Sequence, residues 1–209
     1  MTSIERAEAT DHARWLRALN GDPNGFSEIY DRYADRVLGY ALRQTGSWEL
    51  AQDVVSITFL EAWRRRSHVR FDDNGSAAGW LFATARNVVR NQARALRRHH
   101  AAIERLHSEA SSPDPGDAVV ERMAVEQRLK ELLGVFALLP RRDREVLSLV
   151  STGLDSTAIA TALDISEVAV RSRLSRSRKR LAKLAAAKSA TRVPPPVKSA
   201  SSIPRQEGL

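Results

Sequence analysis

A chain of 209 residues without a single cysteine leaves no place for disulfide scaffolds or thiolate metal sites, and its length suits one domain or two small ones. A formal net charge of +8 and a pI near 10.5 favour a polyanionic partner, while a hydrophobic share of 43% argues against wholesale disorder. No apolar run approaches the roughly 20 residues of a membrane span, and the opening "MTSIERAEATDHARWLRALN" has no apolar signal region, so a cytoplasmic protein with no membrane insertion is expected.

Apolar residues recur at helical spacing almost throughout, without sustained period-two alternation. Residues 1–21 read as an N-terminal segment. Phe26, Tyr30, Tyr33, Val37 and Tyr40 then form one stripe with steps of three and four. Ser47 suits an N-cap for a second helix with Ala51, Val54, Val55, Phe59 and Trp63 on its inner face. The stretch "RRRSHVRFDDNGSAAG" reads as an exposed loop. A third helix starts near Trp80 and continues through Leu81, Ala85, Val88 and Val89 to a basic end at Arg97 and Arg98. One helical domain is thus expected over 22–106.

Residues 107–118, including "HSEASSPDPGD", read as a flexible linker. A second helical domain is expected over 119–187, beginning with a stripe of Val125, Leu129, Leu132, Phe136 and Leu139 that Pro140 stops. Short helices follow near 142–151 and 156–163, with Gly153 placed to turn the chain between them. The Pro/Ser-rich residues 188–209 read as a disordered tail. The expected fold class is all-α, two small helical domains joined by a flexible linker.

The segment "STAIATALDISEVAVRSRLSRSRKRL" has the plan of a helix-turn-helix, with a turn from Asp164 to Ser166. At about 100° per residue, Val170, Leu174, Ser177 and Leu181 share the inward face of its long helix. Ser172, Ser175, Arg176 and Lys179 point the other way. Arg171 and Arg178 flank them on one side, Arg173 and Arg180 on the other. A solvated charged helix mixes signs for i,i+4 pairing, yet after Glu167 this one contains no acid up to Leu184. Val168, Ala169, Ser172 and Arg176 are therefore candidates for base edges in a major groove, and the flanking cations for phosphates.

"FSEIYDRYADRVLGYALRQTGSWELAQDVVSITFLEAW" and "GWLFATARNVVRNQARALRR" resemble domain two of bacterial extracytoplasmic-function (ECF) sigma factors. "LPRRDREVLSLVSTGLDSTAIATALDISEVAVRSRLSRSRKRL" resembles their domain four. The likeness spans about Phe26 to Leu184 in the family's order. It implies a dissociable subunit of bacterial RNA polymerase that selects promoters and opens DNA. The implied partners are core RNA polymerase and promoter DNA, duplex at the minus-thirty-five element and melted at minus ten, with an anti-sigma factor as a further candidate.

By that resemblance, the helix from Leu50 to Trp63 docks on polymerase. Asp53, Val54 and Phe59 match the family pattern, while Ser56 and Ile57 on the same segment depart from it. The following loop and helix imply minus-ten contacts at His68, Phe71, Asn74, Trp80, Asn87, Arg90, Asn91 and Arg94. The residue chemistry agrees, because single strands are held by stacking on aromatics and by cations along the backbone. The basic helix then implies minus-thirty-five contacts at Val168, Ala169, Arg171, Ser172, Arg173, Ser175, Arg176, Lys179 and Arg180.

Two rival readings are weaker. A stand-alone helix-turn-helix regulator needs a dimerisation surface, and no heptad seam is visible. A nucleic-acid enzyme needs convergent carboxylates, but Asp72-Asp73 lacks a third ligand and the five histidines show no metal-ligand spacing. No catalytic residue, metal site or cofactor is expected.

Overall fold

The structure, a computed structural model, describes residues 10–106 and 134–191. Every regular element among them is helical, in agreement with the expected class. The expected linker 107–118, the stripe positions Val125, Leu129 and Leu132, and residues 192–209 lie outside the described residues.

Local chemistry sets the helix ends. Thr10 caps α1 (Asp11–Leu19) by accepting from the Ala13 N–H. Asp22 caps α2 (Pro23–Thr45), where Pro23 presets a helical φ in the first turn, and Gly46 ends it in the left-handed region at φ 70°. Ser47 caps α3 (Trp48–Arg64) through the Leu50 N–H at 3.3 Å, as its position predicts. A 3-10 turn at Arg66–His68 opens the loop before α4 (Ala78–Leu106).

Helices α1–α4 bury Trp15, Ile29, Tyr33, Val37, Tyr40, Val54, Phe59, Leu81 and Phe82 in a common core. The described part of the N-terminal segment thus belongs to this core, through Trp15 and Ala18. Its α1 crosses α2 at Gly25, where a Cβ would stand 2.4 Å from the Arg14 carbonyl oxygen. Two expected inner-face residues, Tyr30 and Trp63, remain exposed. With Phe26, Phe59 and Leu60 they line an open apolar groove between the first three helices, which nothing among the described residues covers.

The second group comprises α5 (Gly134–Ala137), α6 (Arg141–Val150), α7 (Ser156–Leu163) and α8 (Glu167–Thr191). Asp155 caps α7 through the Ala158 N–H, and Ser166 caps α8 through the Ala169 N–H. Asp164 closes α7 at φ 56°, ψ 54°, the only non-glycine with positive φ among the described residues. Helix α8 continues to Thr191, past the start of the expected tail at 188.

The two groups share one continuous core, which the composition of the expected linker does not foretell. Helix α7 lies on α4 and α6 lies on α2. Gly79 permits the closest approach, since a Cβ there would meet the Thr161 Cβ at 2.8 Å. Polar side chains of α2 and α4 reach the second group: Arg36 donates to the Thr152 carbonyl at 2.9 Å and Gln44 to the Ser148 hydroxyl at 2.9 Å. Arg86 faces the buried Glu145 at 3.6 Å.

Candidate nucleic-acid interface and docking face

Helix α8 is anchored by its inward face. Val170 and Ser177 are buried and Leu174 and Leu181 half-buried, as the periodicity predicts. Ser177 donates to Asp143 of α6 at 2.6 Å, and the same carboxylate pairs with Arg180. Arg180 is thus a brace between α6 and α8, while its side chain stays exposed. Arg171 faces Glu167 at 3.6 Å in an exposed pair, which contributes little. Ser172, Ser175, Arg176, Arg178 and Lys179 stay exposed, with Val168 fully presented near the helix start and Ala169 and Arg173 half-buried beside it. The outward face keeps most of its cations without an acid.

The loop after α3 is built, not merely exposed. Asp72 Oδ1 accepts from the N–H groups of Asn74 and Ser76, and the Asp72 carbonyl accepts from Gly75, which sits at φ 73°. His68 and Asn74 are exposed at the rim. Phe71 is not: its ring packs on His12 with centroids 4.7 Å apart and meets the edge of Trp15 at 6.4 Å. Neighbours therefore hold the ring of Phe71, which stays half-buried.

Trp80, Thr84, Asn87, Asn91 and Arg94 succeed one another in steps of four and three, so they share one face of α4 for about 21 Å at about 1.5 Å per residue. Asn87, Asn91 and Arg94 are exposed, and Arg90 stands half-buried beside them. These four residues, with Ile57 and Glu61 of α3 and Arg65 just past its end, line a groove of about 600 Å³. At the N-terminal end of the stripe, Trp80, His68 and Arg70 line a second cleft whose far wall is Thr157, Ala160, Thr161 and Asp164. The structure therefore divides the predicted minus-ten residues: the α4 cations and amides are open, while Trp80 lies beside α7.

Helix α3 turns Ala51, Val54, Val55, Thr58, Phe59 and Ala62 inward. Val54 and Phe59 are core side chains at 0% and 4% exposure, set behind the outward face. Asp53, Ser56 and Ile57 face outward. Sequence reasoning missed their neighbours: Leu60 is 54% exposed and Trp63 40%. Leu60 stands three residues after Ile57, so the helical repeat that places the inner face would also have placed it outside.

Buried polar groups hold the base of this region. Tyr33 donates to Asp11, and burial first, then that carboxylate, pushes the phenol above its ordinary range and keeps it protonated. Burial also lowers the Arg43 and Arg144 guanidinium values.

Residues 29–99 match Sigma-70 region 2, and residues 129–181 match Sigma-70, region 4. The ECF RNA polymerase sigma factor SigL of Mycobacterium tuberculosis is 33% identical over 149 residues, 70% of this chain and 80% of that protein. The RNA polymerase sigma factor NccH of Alcaligenes xylosoxydans xylosoxydans is 30% identical over 181 residues, 84% of this chain and 95% of that protein. In fold, the chain is similar to CnrH in complex with the cytosolic domain of CnrY, with a TM-score of 0.62 at 24% identity over 85% of this chain and 97% of that one. It is also similar to RpoE of Bartonella quintana in complex with the anti-sigma factor NepR, with a TM-score of 0.59 at 21% identity over 77% of this chain and 96% of that one. Two separate family models in the expected order, and a relative of this identity and coverage, agree with the two surfaces described above: the chain belongs to the extracytoplasmic-function (ECF) family of RNA polymerase sigma factors.

Proposed function

We propose that this sigma factor uses three separate surfaces to bring RNA polymerase to its promoters. The outer face of α3 docks on the core enzyme. The loop rim and the α4 stripe take the melted minus-ten strand, and the outward face of α8 enters the major groove at minus thirty-five. The chain itself is non-catalytic and acts in the cytoplasm, leaving phosphodiester chemistry to the polymerase. The RpoE neighbour is bound to an anti-sigma factor, which supports a partner of that kind here.

The observation that carries the docking assignment is the composition of the outer face of α3. Ile57, Leu60 and Trp63 are large apolar side chains at 40% exposure or more, next to the exposed Asp53. Contiguous apolar surface of that kind marks a protein interface. Charged α4 residues lie across the groove from Ile57, so strand and polymerase would meet along one edge of the molecule.

The arrangement of the halves has a consequence. Promoter elements about 25 base pairs apart are separated by about 85 Å along duplex at about 3.4 Å per base pair. Helix α7 lies directly on α4 beside Trp80. Engagement of both elements therefore requires α6–α8 to leave α1–α4.

The docking test is core-polymerase binding by Asp53→Ala and Leu60→Ser. Both positions are exposed, so the fold should survive. Affinity should fall by about tenfold or more for Leu60→Ser, the scale of about 1–3 kcal/mol for one well-placed apolar contact. Unchanged affinity in both folded variants would remove α3 as the docking helix.

A further inference from the structure

We infer that α1 is a positioning element for minus-ten recognition: Asp11 and Trp15 fix the shape of the loop between α3 and α4. The inference rests on the reading that this loop selects bases, and adds what holds it. The Sigma-70 region 2 match begins at residue 29, after α1 has ended.

The three buried residues of α1 are Asp11, Trp15 and Ala18, a single stripe at steps of four and three. Trp15 packs its ring in the core against Phe26, but the polar groups of the first two reach the loop. The Trp15 indole N–H donates to the Arg66 carbonyl at 2.8 Å, where the loop begins. Asp11 Oδ2 accepts from the Ala77 N–H at 2.9 Å, where it ends, and from the Tyr33 hydroxyl. Arg32 stands 3.5 Å from the other carboxylate oxygen. Between those points the His12 N–H donates to the Gly75 carbonyl at 3.0 Å, and the His12 ring covers Phe71.

These contacts bind both ends and the middle of one segment to one short helix. That helix is itself fixed on α2, through its close crossing at Gly25 and through Arg14 and Arg17, which pair with Glu28. A helix serving only the core would bury apolar groups alone; α1 also buries a carboxylate and an indole N–H that bond to loop backbone, the carboxylate holding the Tyr33 hydroxyl as well. A loop held before the strand arrives loses less conformational freedom on binding, so His68 and Asn74 at the rim keep a defined place.

The test uses the full chain with core polymerase and compares open-complex formation on duplex and pre-melted promoters. Trp15→Phe retains the ring but not the donor, and Asp11→Asn retains an acceptor but not the charge. Trp15→Phe should slow opening of duplex promoters by about tenfold, the factor for one lost buried hydrogen bond of about 1.4 kcal/mol, and Asp11→Asn, which keeps an acceptor for Ala77 and loses the charge facing Arg32, by a smaller factor. Opening should recover on pre-melted templates, and polymerase affinity should stay within about twofold, since docking is assigned to α3. His12→Ala is a third variant, at an exposed side chain whose loss does not threaten the fold; it frees Phe71 and should alter base preference at minus ten.

A merely structural α1 would lower polymerase binding and opening together, on both template types, and that result would overturn the inference. Parental opening and parental base preference in all three variants would also overturn it. Replacement of residues 68–75 by a Gly/Ser loop separates the two levels. If that replacement blocks opening while the α1 variants do not, only the positioning role falls. If it leaves opening intact, the loop reading falls, and the role of α1 with it.

Discussion

The loop between α3 and α4 and the helix α8 prepare for nucleic acid in opposite ways. The loop is shaped by contacts from far along the chain: Trp15 to Arg66, Asp11 to Ala77, Tyr33 to Asp11. Its exposed chemistry is a rim of a few side chains. Helix α8 is shaped by its own repeat, needs only Asp143 and the inward apolar positions to hold it, and presents a row of cations. The difference fits the two targets. Duplex DNA offers a regular groove that a straight helix matches, whereas an unstacked base needs a place the duplex cannot enter.

The comparison can be broken most strongly at the brace of α8. Asp143→Ala leaves the buried Ser177 hydroxyl without its acceptor and Arg180 without its partner. Loss of about 2–4 kcal/mol of stability in α5–α8 is expected, from one unsatisfied buried group and one broken partly buried pair. Thermal unfolding and minus-thirty-five binding should both suffer, on duplex and pre-melted templates alike, whereas core-polymerase affinity should stay within about twofold. Loss of polymerase affinity as well would show that the brace serves the whole molecule.

The smallest effect sharpens the turn before α8. Asp164 occupies the left-handed region, where glycine is at no steric disadvantage, so Asp164→Gly should stabilise the chain by about 0.5–1 kcal/mol. Denaturant unfolding would register the gain, and specificity at minus thirty-five should not move.

How much was legible follows from the same contrast. The inward face of α8, the Ser47 cap and the turn at Asp164 depend on neighbours within a turn or two, and each was readable from spacing and residue type. The burial of Val54 and Phe59 was half-readable, because one helical repeat places the core side and the docking side at once. The hold of α1 on the loop was not readable at all. His12 and Phe71 are distant in sequence, and no periodic rule links an aspartate at 11 to an amide at 77. Nor does linker composition reveal that Gly79 and Thr161 meet. The minus-ten candidates were named by resemblance, and geometry then divided them into open groups along α4, a Trp80 beside α7 and a Phe71 already occupied.

The central claim, two surfaces reading one promoter by different chemistry, is tested most directly by run-off transcription with two variants on matched duplex and pre-melted templates. The first variant replaces residues 68–75 with a Gly/Ser loop; the second is Arg176→Ala. The loop variant should fail on duplex and recover on pre-melted DNA, where the unpairing cost of a few kcal/mol is already removed. Arg176→Ala should lose about 1–3 kcal/mol of discrimination at one minus-thirty-five position on both templates, with no rescue by melting. Rescue of both variants, or of neither, would contradict the account.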